Sequence, residues 1–149
     1  MKRMHLHVSV DDMQKSIHFY NQLFGAEPTV SKPDYAKRML VDPLVNFAIS
    51  QRGAKPGIDH IGIQVESEQE LSEIKERQEQ AELSMLTEEG TTCCYAKSDK
   101  HWVQDPSGIA WEMYHTLESA RTFNGQATSE PSVACCVPAT QKLEIISRK

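Results

Sequence analysis

The sequence predicts an α+β fold built from two βαβββ modules, packed as one curved sheet around a metal site. Three observations predict it. Residues 5–10, HLHVSV, lie over residues 60–65, HIGIQV, with His5 on His60 and Val10 on Val65. A helical apolar pattern follows each of these stretches. An Asp-Pro turn then recurs, as Asp42-Pro43 in the first half and Asp105-Pro106 in the second. Modules that cannot bury their apolar faces alone must pack together.

The elements follow in order. Residues 3–10 alternate, with Leu6, Val8 and Val10 on one face and His5, His7 and Ser9 on the other, the period of a half-buried strand. Asp11 and Asp12 offer an N-cap. Met13, Ile17, Tyr20 and Phe24 continue at helical spacing, and Gly25 stands where a helix C-terminus favours glycine. Pro28 and Pro33 mark the exit. Tyr35–Val41 and Leu44–Ser50 read as strands. Gly53, Pro56 and Gly57 form a linker, after which the pattern restarts with Ile61, Ile63 and Val65 opposite His60, Gly62 and Gln64. Ser67 and Glu70 have the spacing of a reciprocal capping box, and Leu71, Ile74, Gln78 and Ala81 carry the second helix. Strands are expected at Leu83–Thr87, Cys93–Lys97, His101–Gln104 and Ile109–His115. The expected organisation is one domain over residues 1–118, with modules at about 3–52 and 57–118. Residues 119–149, polar and aperiodic, read as a flexible tail.

A chain of 149 residues can bury a core without staples. A net charge of −5 argues against a nucleic-acid partner. No apolar run approaches the roughly 18 residues of a membrane span. Lys2 and Arg3 are not followed by the apolar stretch of a signal peptide, so the cytoplasm is the expected compartment. Thiols stay reduced there, and four cysteines in two adjacent pairs do not form a secreted disulfide framework.

His5 and His60 hold equivalent positions of the two modules, so they should face each other across a pseudo-twofold axis. Glu112 falls near the end of the last strand. Two histidines and one carboxylate with open positions form the facial triad of non-haem Fe(II) enzymes. The repeat places Ala48 where a second carboxylate would stand, which argues for three protein ligands and an open site. His7 shares the face of His5 and is its competitor; His5 is preferred because His7 pairs with Gly62 in the repeat. His18, His101 and His115 are not expected to be ligands. Tyr114 shares the parity of Glu112 and should line the cavity as an accessory group. Trp111 and Met113 should face the helices.

Cys93 and Cys94 add a different chemistry. Neighbouring thiols chelate soft atoms such as Cd(II), Zn(II) or As(III). In a regular strand they would point to opposite faces, so joint chelation needs an irregular backbone, which Glu88-Glu89-Gly90-Thr91-Thr92 makes plausible. Lys97 and Lys100 could enrich the thiolates. The opposing view makes one cysteine a core residue and the other incidental; both stay open at this point.

The opening RMHLHVSVDDM with SIHFYNQLFG, the restart IDHIGIQV and the ending DPSGIAWEMY resemble the vicinal oxygen chelate superfamily of glyoxalase I, bleomycin-resistance proteins and extradiol dioxygenases. Within it, TTCCYA before a Trp-Val and an Asp-Pro turn resembles the branch of cadmium-induced proteins and carbon–arsenic lyases. The resemblance covers about residues 3–118. It implies Fe(II) on His5, His60 and Glu112, replaceable in vitro by Ni, Co or Zn. It implies that Cys93 and Cys94 hold a trivalent organoarsenical such as methylarsenite, whose carbon–arsenic bond is cleaved with O2 to release arsenite. It assigns no role to Cys135 and Cys136. The second expectation is a cadmium- or arsenic-binding resistance protein without turnover, and the third a catechol dioxygenase, which needs no paired thiols. The sequence leaves open whether the modules pair within one chain or exchange in a homodimer.

Overall fold

The computed structural model describes residues 1–121 of the chain. Their elements are β1 (Arg3–Ser9), α1 (Met13–Phe24), β2 (Val30–Lys32), β3 (Tyr35–Val41), β4 (Leu44–Ser50), β5 (Gly57–Val65), α2 (Glu68–Gln80), β6 (Leu86–Cys93), β7 (Ala96–Gln104) and β8 (Ala110–Ser119). Each half is βαβββ. All strands join one 8-stranded curled sheet in the order β2-β3-β4-β1-β5-β8-β7-β6. Cys135 and Cys136 lie outside the described residues, as does the expected tail beyond Arg121.

The two halves meet where β1 and β5 pair antiparallel, and each of these strands pairs parallel with the last strand of its own half. Leu6 lies opposite Phe47 as Ile61 lies opposite Trp111, and His7 lies opposite Ala48 as Gly62 lies opposite Glu112. The ladder therefore reproduces the repeat, including the match of Ala48 to Glu112.

Both helices cover the apolar face. Met13, Ile17, Tyr20 and Phe24 of α1 pack on Leu6, Val8, Phe47 and Ile49. Leu71 and Ile74 of α2 pack on Val65 and Met113, with Trp111 alongside. Asp12 caps α1, its side chain accepting from the Lys15 N–H at 2.9 Å, and Gly25 closes the helix at φ 60°. Buried Arg38 donates to the carbonyls of Ile17, within α1, and of Ala26, just past its C-terminal end, and so ties β3 to the helix. At α2 the Ser67 hydroxyl accepts from the Glu70 N–H, but the Glu70 carboxylate takes the N–H of Glu66 rather than that of Ser67. The cap is thus wider by one residue than a reciprocal box.

The structure corrects three strand assignments. β2, a short edge strand between Pro28 and Pro33, carries too few residues for alternation to reveal it. Cys93–Lys97 is not a strand: Cys93 ends β6, Cys94 and Tyr95 form the turn, and Ala96 begins β7. The strand expected at Leu83–Thr87 starts at Leu86, because the chain first leaves α2 through Glu82 at φ 55°.

The concave face inverts the usual rule. Its residues His5, His7, Ser9, Asn46, Ser50, His60 and Glu112 are polar and all buried. Such groups are tolerated where they pair, and nearly all of them do; the exception is Asn46 Oδ1, which is buried without a hydrogen-bond partner while its Nδ2 and backbone carbonyl are engaged.

Gly62 allows this packing. A Cβ there would stand 2.0 Å from the Glu112 carbonyl oxygen, with further backbone atoms of Glu112 at 2.9 and 3.1 Å. Gly62→Ala is expected to destabilise the protein by about 3 kcal/mol or more, because backbone rather than a flexible side chain must yield. Urea unfolding followed by circular dichroism measures this, and a loss below about 1 kcal/mol would contradict the close approach.

Candidate metal and thiol site

The seam between β1 and β5 sets the site. His5 lies opposite Gly62 and His7 opposite His60, so three imidazoles crowd one patch of the concave face. His5 and His60 bring their Nε2 atoms to 3.1 Å of each other. β8, beside β5, adds Glu112, whose Oε2 lies 3.6 Å from His5 Nε2 and 3.4 Å from His60 Nε2. The three side chains predicted from the repeat thus converge on one point.

Their outer atoms are fixed by neighbours. His5 Nδ1 is 3.1 Å from the Asn46 carbonyl oxygen, which can only accept, so Nδ1 donates and Nε2 is left with its lone pair. His60 Nδ1 donates to Asp59 Oδ1 at 2.6 Å, and Asp59 is itself held by the Ser9 hydroxyl at 3.2 Å. A carboxylate or carbonyl behind each imidazole is the usual orienting device of metal-binding histidines. Glu112 Oε1 accepts from Lys100 Nζ at 2.6 Å in a buried ion pair, leaving Oε2 toward the histidines.

The electrostatics match a cation site. Burial, helped by the charge of His60, drives His5 down to about 3, so it stays neutral. Burial also opposes the charged form of His60, but hydrogen bonds to Asp59 and Glu112 outweigh it and raise His60 to about 9. Glu112 is held well below the usual carboxylate range: burial works against this, and the Lys100 ammonium and the histidines overcome it. Lys100 is raised, since the attraction of Glu112 outweighs its burial. Metal-free, the site carries a proton on His60 where a divalent ion would carry charge. One ring nitrogen each of His5, His7 and His60 also lies within 4.8 Å of the others, so these three could hold a metal ion. The donor set therefore fits a divalent metal in two overlapping ways.

Cys93 and Cys94 open onto the same cavity. It measures ≈ 30 Å³, about the space of one water molecule. His5, Glu112, Tyr114 and both cysteines line it. The irregular backbone falls at a different place from the one expected. The bulge between Glu88 and Thr91 exists, but the sulfurs are brought together by the turn, where Cys94 and Tyr95 both adopt left-handed φ of 55° and 61°. This is the geometry of a tight two-residue hairpin, which asparagine and glycine usually supply. It sets the sulfurs 3.2 Å apart. The Tyr95 hydroxyl ties the turn to the first module by donating to Asp34 Oδ1 at 2.5 Å.

The remaining accessory residues divide. Tyr114 is buried, its ring 5.2 Å edge-on to His5 and its hydroxyl accepting from Asn46 Nδ2 at 2.6 Å. Lys100 lines the cavity. Lys97 does not; it lies on the outer reach of β7, with its ammonium 3.6 Å from Glu118. Lys37, not singled out from sequence, lines the cavity instead and feels the charge of Cys94, its own pKa lowered chiefly by burial. Its parity with Tyr35 on β3 was the available signal. Asn46 and Asp59 were also missed: one acts through its carbonyl, and the other is simply the neighbour of His60. His101 is buried on the opposite face, across from Met113, away from the cluster.

Two measurements test the electrostatic account. Asp59→Asn keeps the shape but removes the charge behind His60, and should weaken Zn(II) affinity by about 10- to 100-fold in a competition titration. Because His60 is protonated below about 9 and a metal needs it neutral, binding near pH 7 should release about one proton. Apparent affinity should then rise with pH and level off near pH 9. Calorimetry in buffers of different ionisation enthalpy reads the proton directly, and no proton release would contradict the assignment.

Residues 2–113 match the family described as the Glyoxalase/Bleomycin resistance protein/Dioxygenase superfamily. A trivalent organoarsenical cleaving enzyme of Bacillus sp. (strain MD1) is 43% identical, with 99% of this chain and 91% of that one covered. A cadmium-induced protein of Mycobacterium tuberculosis is 36% identical over 91% of this chain and 93% of its own. Among solved structures, an extradiol ring-cleaving dioxygenase from B. fuscum shares the fold with TM-score 0.59 at 14% identity, over 79% of this chain and 33% of that longer one. Methylmalonyl-CoA epimerase from Mycobacterium tuberculosis does so with TM-score 0.54 at 14% identity, over 76% and 86%. With the register of its two modules reproducing the sequence repeat, the chain belongs to the glyoxalase/bleomycin resistance protein/dioxygenase superfamily and has the vicinal oxygen chelate fold.

Proposed function

We propose that the protein cleaves the carbon–arsenic bond of trivalent organoarsenicals such as methylarsenite, using Fe(II) and dioxygen. One observation carries the reading: the paired sulfurs of Cys93 and Cys94 share a cavity with His5 and Glu112. Relatives at 34–43% identity named as trivalent organoarsenical cleaving enzymes support the substrate class. The ligand set is His5, His60 and Glu112, two neutral imidazoles and one carboxylate with positions left open. Fe(II) bound there supplies the one-electron chemistry that dioxygen needs and side chains lack.

The chain's own residues do the rest. With both sulfurs reduced, Cys93 and Cys94 replace the two hydroxyls of methylarsenous acid, releasing two waters. A soft atom with bonds of about 2.3 Å at near right angles spans sulfurs roughly 3.3 Å apart, close to the 3.2 Å observed. Thiolate anchoring makes attack at arsenic's carbon effectively intramolecular. Lys100 keeps Glu112 ionised and oriented. Buried Tyr114, its pKa raised well above the usual by burial and by Glu112, stays neutral at the cavity wall. The small cavity limits water around the reacting atoms. The reaction balances as methylarsenous acid plus O2 giving arsenous acid plus formaldehyde: arsenic stays trivalent, and carbon loses the four electrons that dioxygen gains.

We place the reaction in the cytoplasm, whose reducing poise favours the thiol form that arsenic binding needs; among the described residues no helix is long and apolar enough to cross a membrane. The second reading, metal or arsenic binding without turnover, is favoured by the additional imidazole of His7 and by the cadmium-induced relatives.

The test is anaerobic loading with Fe(II), then methylarsenite and oxygen. Arsenite and formaldehyde should appear one to one; tight Cd(II) binding with no arsenite would favour the second reading. Cys93→Ser or Cys94→Ser should lower arsenite formation by about 100-fold or more through lost positioning. Iron content should be unchanged in both variants.

A further inference from the structure

The registers that define the repeat also identify the counterpart of Glu112's surroundings. Lys100 lies opposite Tyr114 in β7–β8 as Tyr35 lies opposite Ser50 in β3–β4. Gly62 lies opposite Glu112 as His7 lies opposite Ala48. In the second half, then, Glu112 stands among Lys100, Tyr114 and Gly62. In the first half the matching positions hold Tyr35, Ser50 and His7 around Ala48, which brings no donor.

His7 stands opposite Ala48 on the neighbouring strand. It is fully buried, with Nε2 at 2.9 Å from Ser50 Oγ and its ring 6.1 Å from that of Tyr35. Its ring centroid lies 4.8 Å from that of His60 and 6.3 Å from that of His5. The exchange works in one half alone, because a side chain at Gly62 would collide with the Glu112 backbone.

We propose that His7 is a third imidazole ligand for borderline divalent ions such as Zn(II) and Co(II), forming with His5 and His60 a ligand set that does not require Glu112. The three ring nitrogens lie within 4.8 Å of one another. Nitrogens on one tetrahedral ion sit about 3.4 Å apart, so side-chain rotations of roughly 1 Å close the set. Glu112 is already engaged by Lys100 through Oε1, and three imidazoles with an open position suit Zn(II) well. Fe(II), a harder ion, keeps the carboxylate. The inference rests on the metal-site reading and is independent of the arsenical chemistry.

The experiment titrates the metal-free protein with Zn(II) and Co(II) alone, in wild type, Glu112→Gln, His7→Gln and the double variant. Glutamine retains an acceptor for Lys100. Glu112→Gln should keep one-to-one Zn(II) binding within about tenfold of wild type, and adding His7→Gln should cost about 100-fold more, the scale of losing a ligand's support. X-ray absorption of Zn(II)-loaded wild type should count three imidazoles, and two in His7→Gln; this arm does not depend on Glu112→Gln folding. Glu112→Gln losing Zn(II) as completely as the double variant overturns the proposal. So do two imidazoles both with and without His7. If these titrations succeed while methylarsenite is not cleaved, the proposed function fails and the role of His7 stands.

Discussion

The antiparallel seam of β1 against β5 is the constraint on which the rest depends. It takes two strands that are each apolar on one face and polar on the other and turns both polar faces inward. Those polar faces are then buried, and burial without partners would cost several kcal/mol per group. The molecule meets this demand with a connected set of pairs, from Ser9 through Asp59 to His60, from Asn46 to His5 and Tyr114, and from Lys100 to Glu112. The helices contribute by covering the other face, so that the sheet can curl without exposing its apolar rows.

Two kinds of chemistry are supported by different parts of this frame. The imidazoles and Glu112 sit in the middle of ladders, each beside a paired strand, where rigid backbone fixes their positions. The cysteines sit at a hairpin end, on a turn of two residues in a region that non-glycine residues enter at a cost of order 1–3 kcal/mol each. Tyr95 secures that turn to Asp34 of the other module, and Arg52 pairs with Asp34 in turn. The thiol end of the cavity therefore depends on contacts between modules as much as the imidazole end does.

Much of this was legible in the sequence, for definite reasons. Alternation marks a strand only when one face is apolar, so β1, β3, β4 and β5 could be read while the three-residue β2 could not. The repeat carried the equivalence of Ala48 and Glu112 because both halves keep the same strand-pairing register. It could not carry the turn at Cys94-Tyr95, since neither residue type favours left-handed φ and tertiary contacts impose it. Nor could it show Asn46, which acts through a carbonyl that every residue possesses. Lys97 and Lys100, three residues apart on one strand, point to opposite faces by alternation, and Lys100 falls on the face of Ala96 and Ser98 that lines the cavity.

The pairing of Ala48 with Glu112 bears on how such a centre could arise. An assembly of two identical modules about an exact twofold axis repeats every side chain. It can present two carboxylates at this place or none, and two copies of His7 or none. A centre with a single carboxylate on one side and a single extra imidazole on the other is closed to it. Only a tandem chain, whose halves are free to diverge, can make the two sides unequal and so leave one flank of the ion open to a guest.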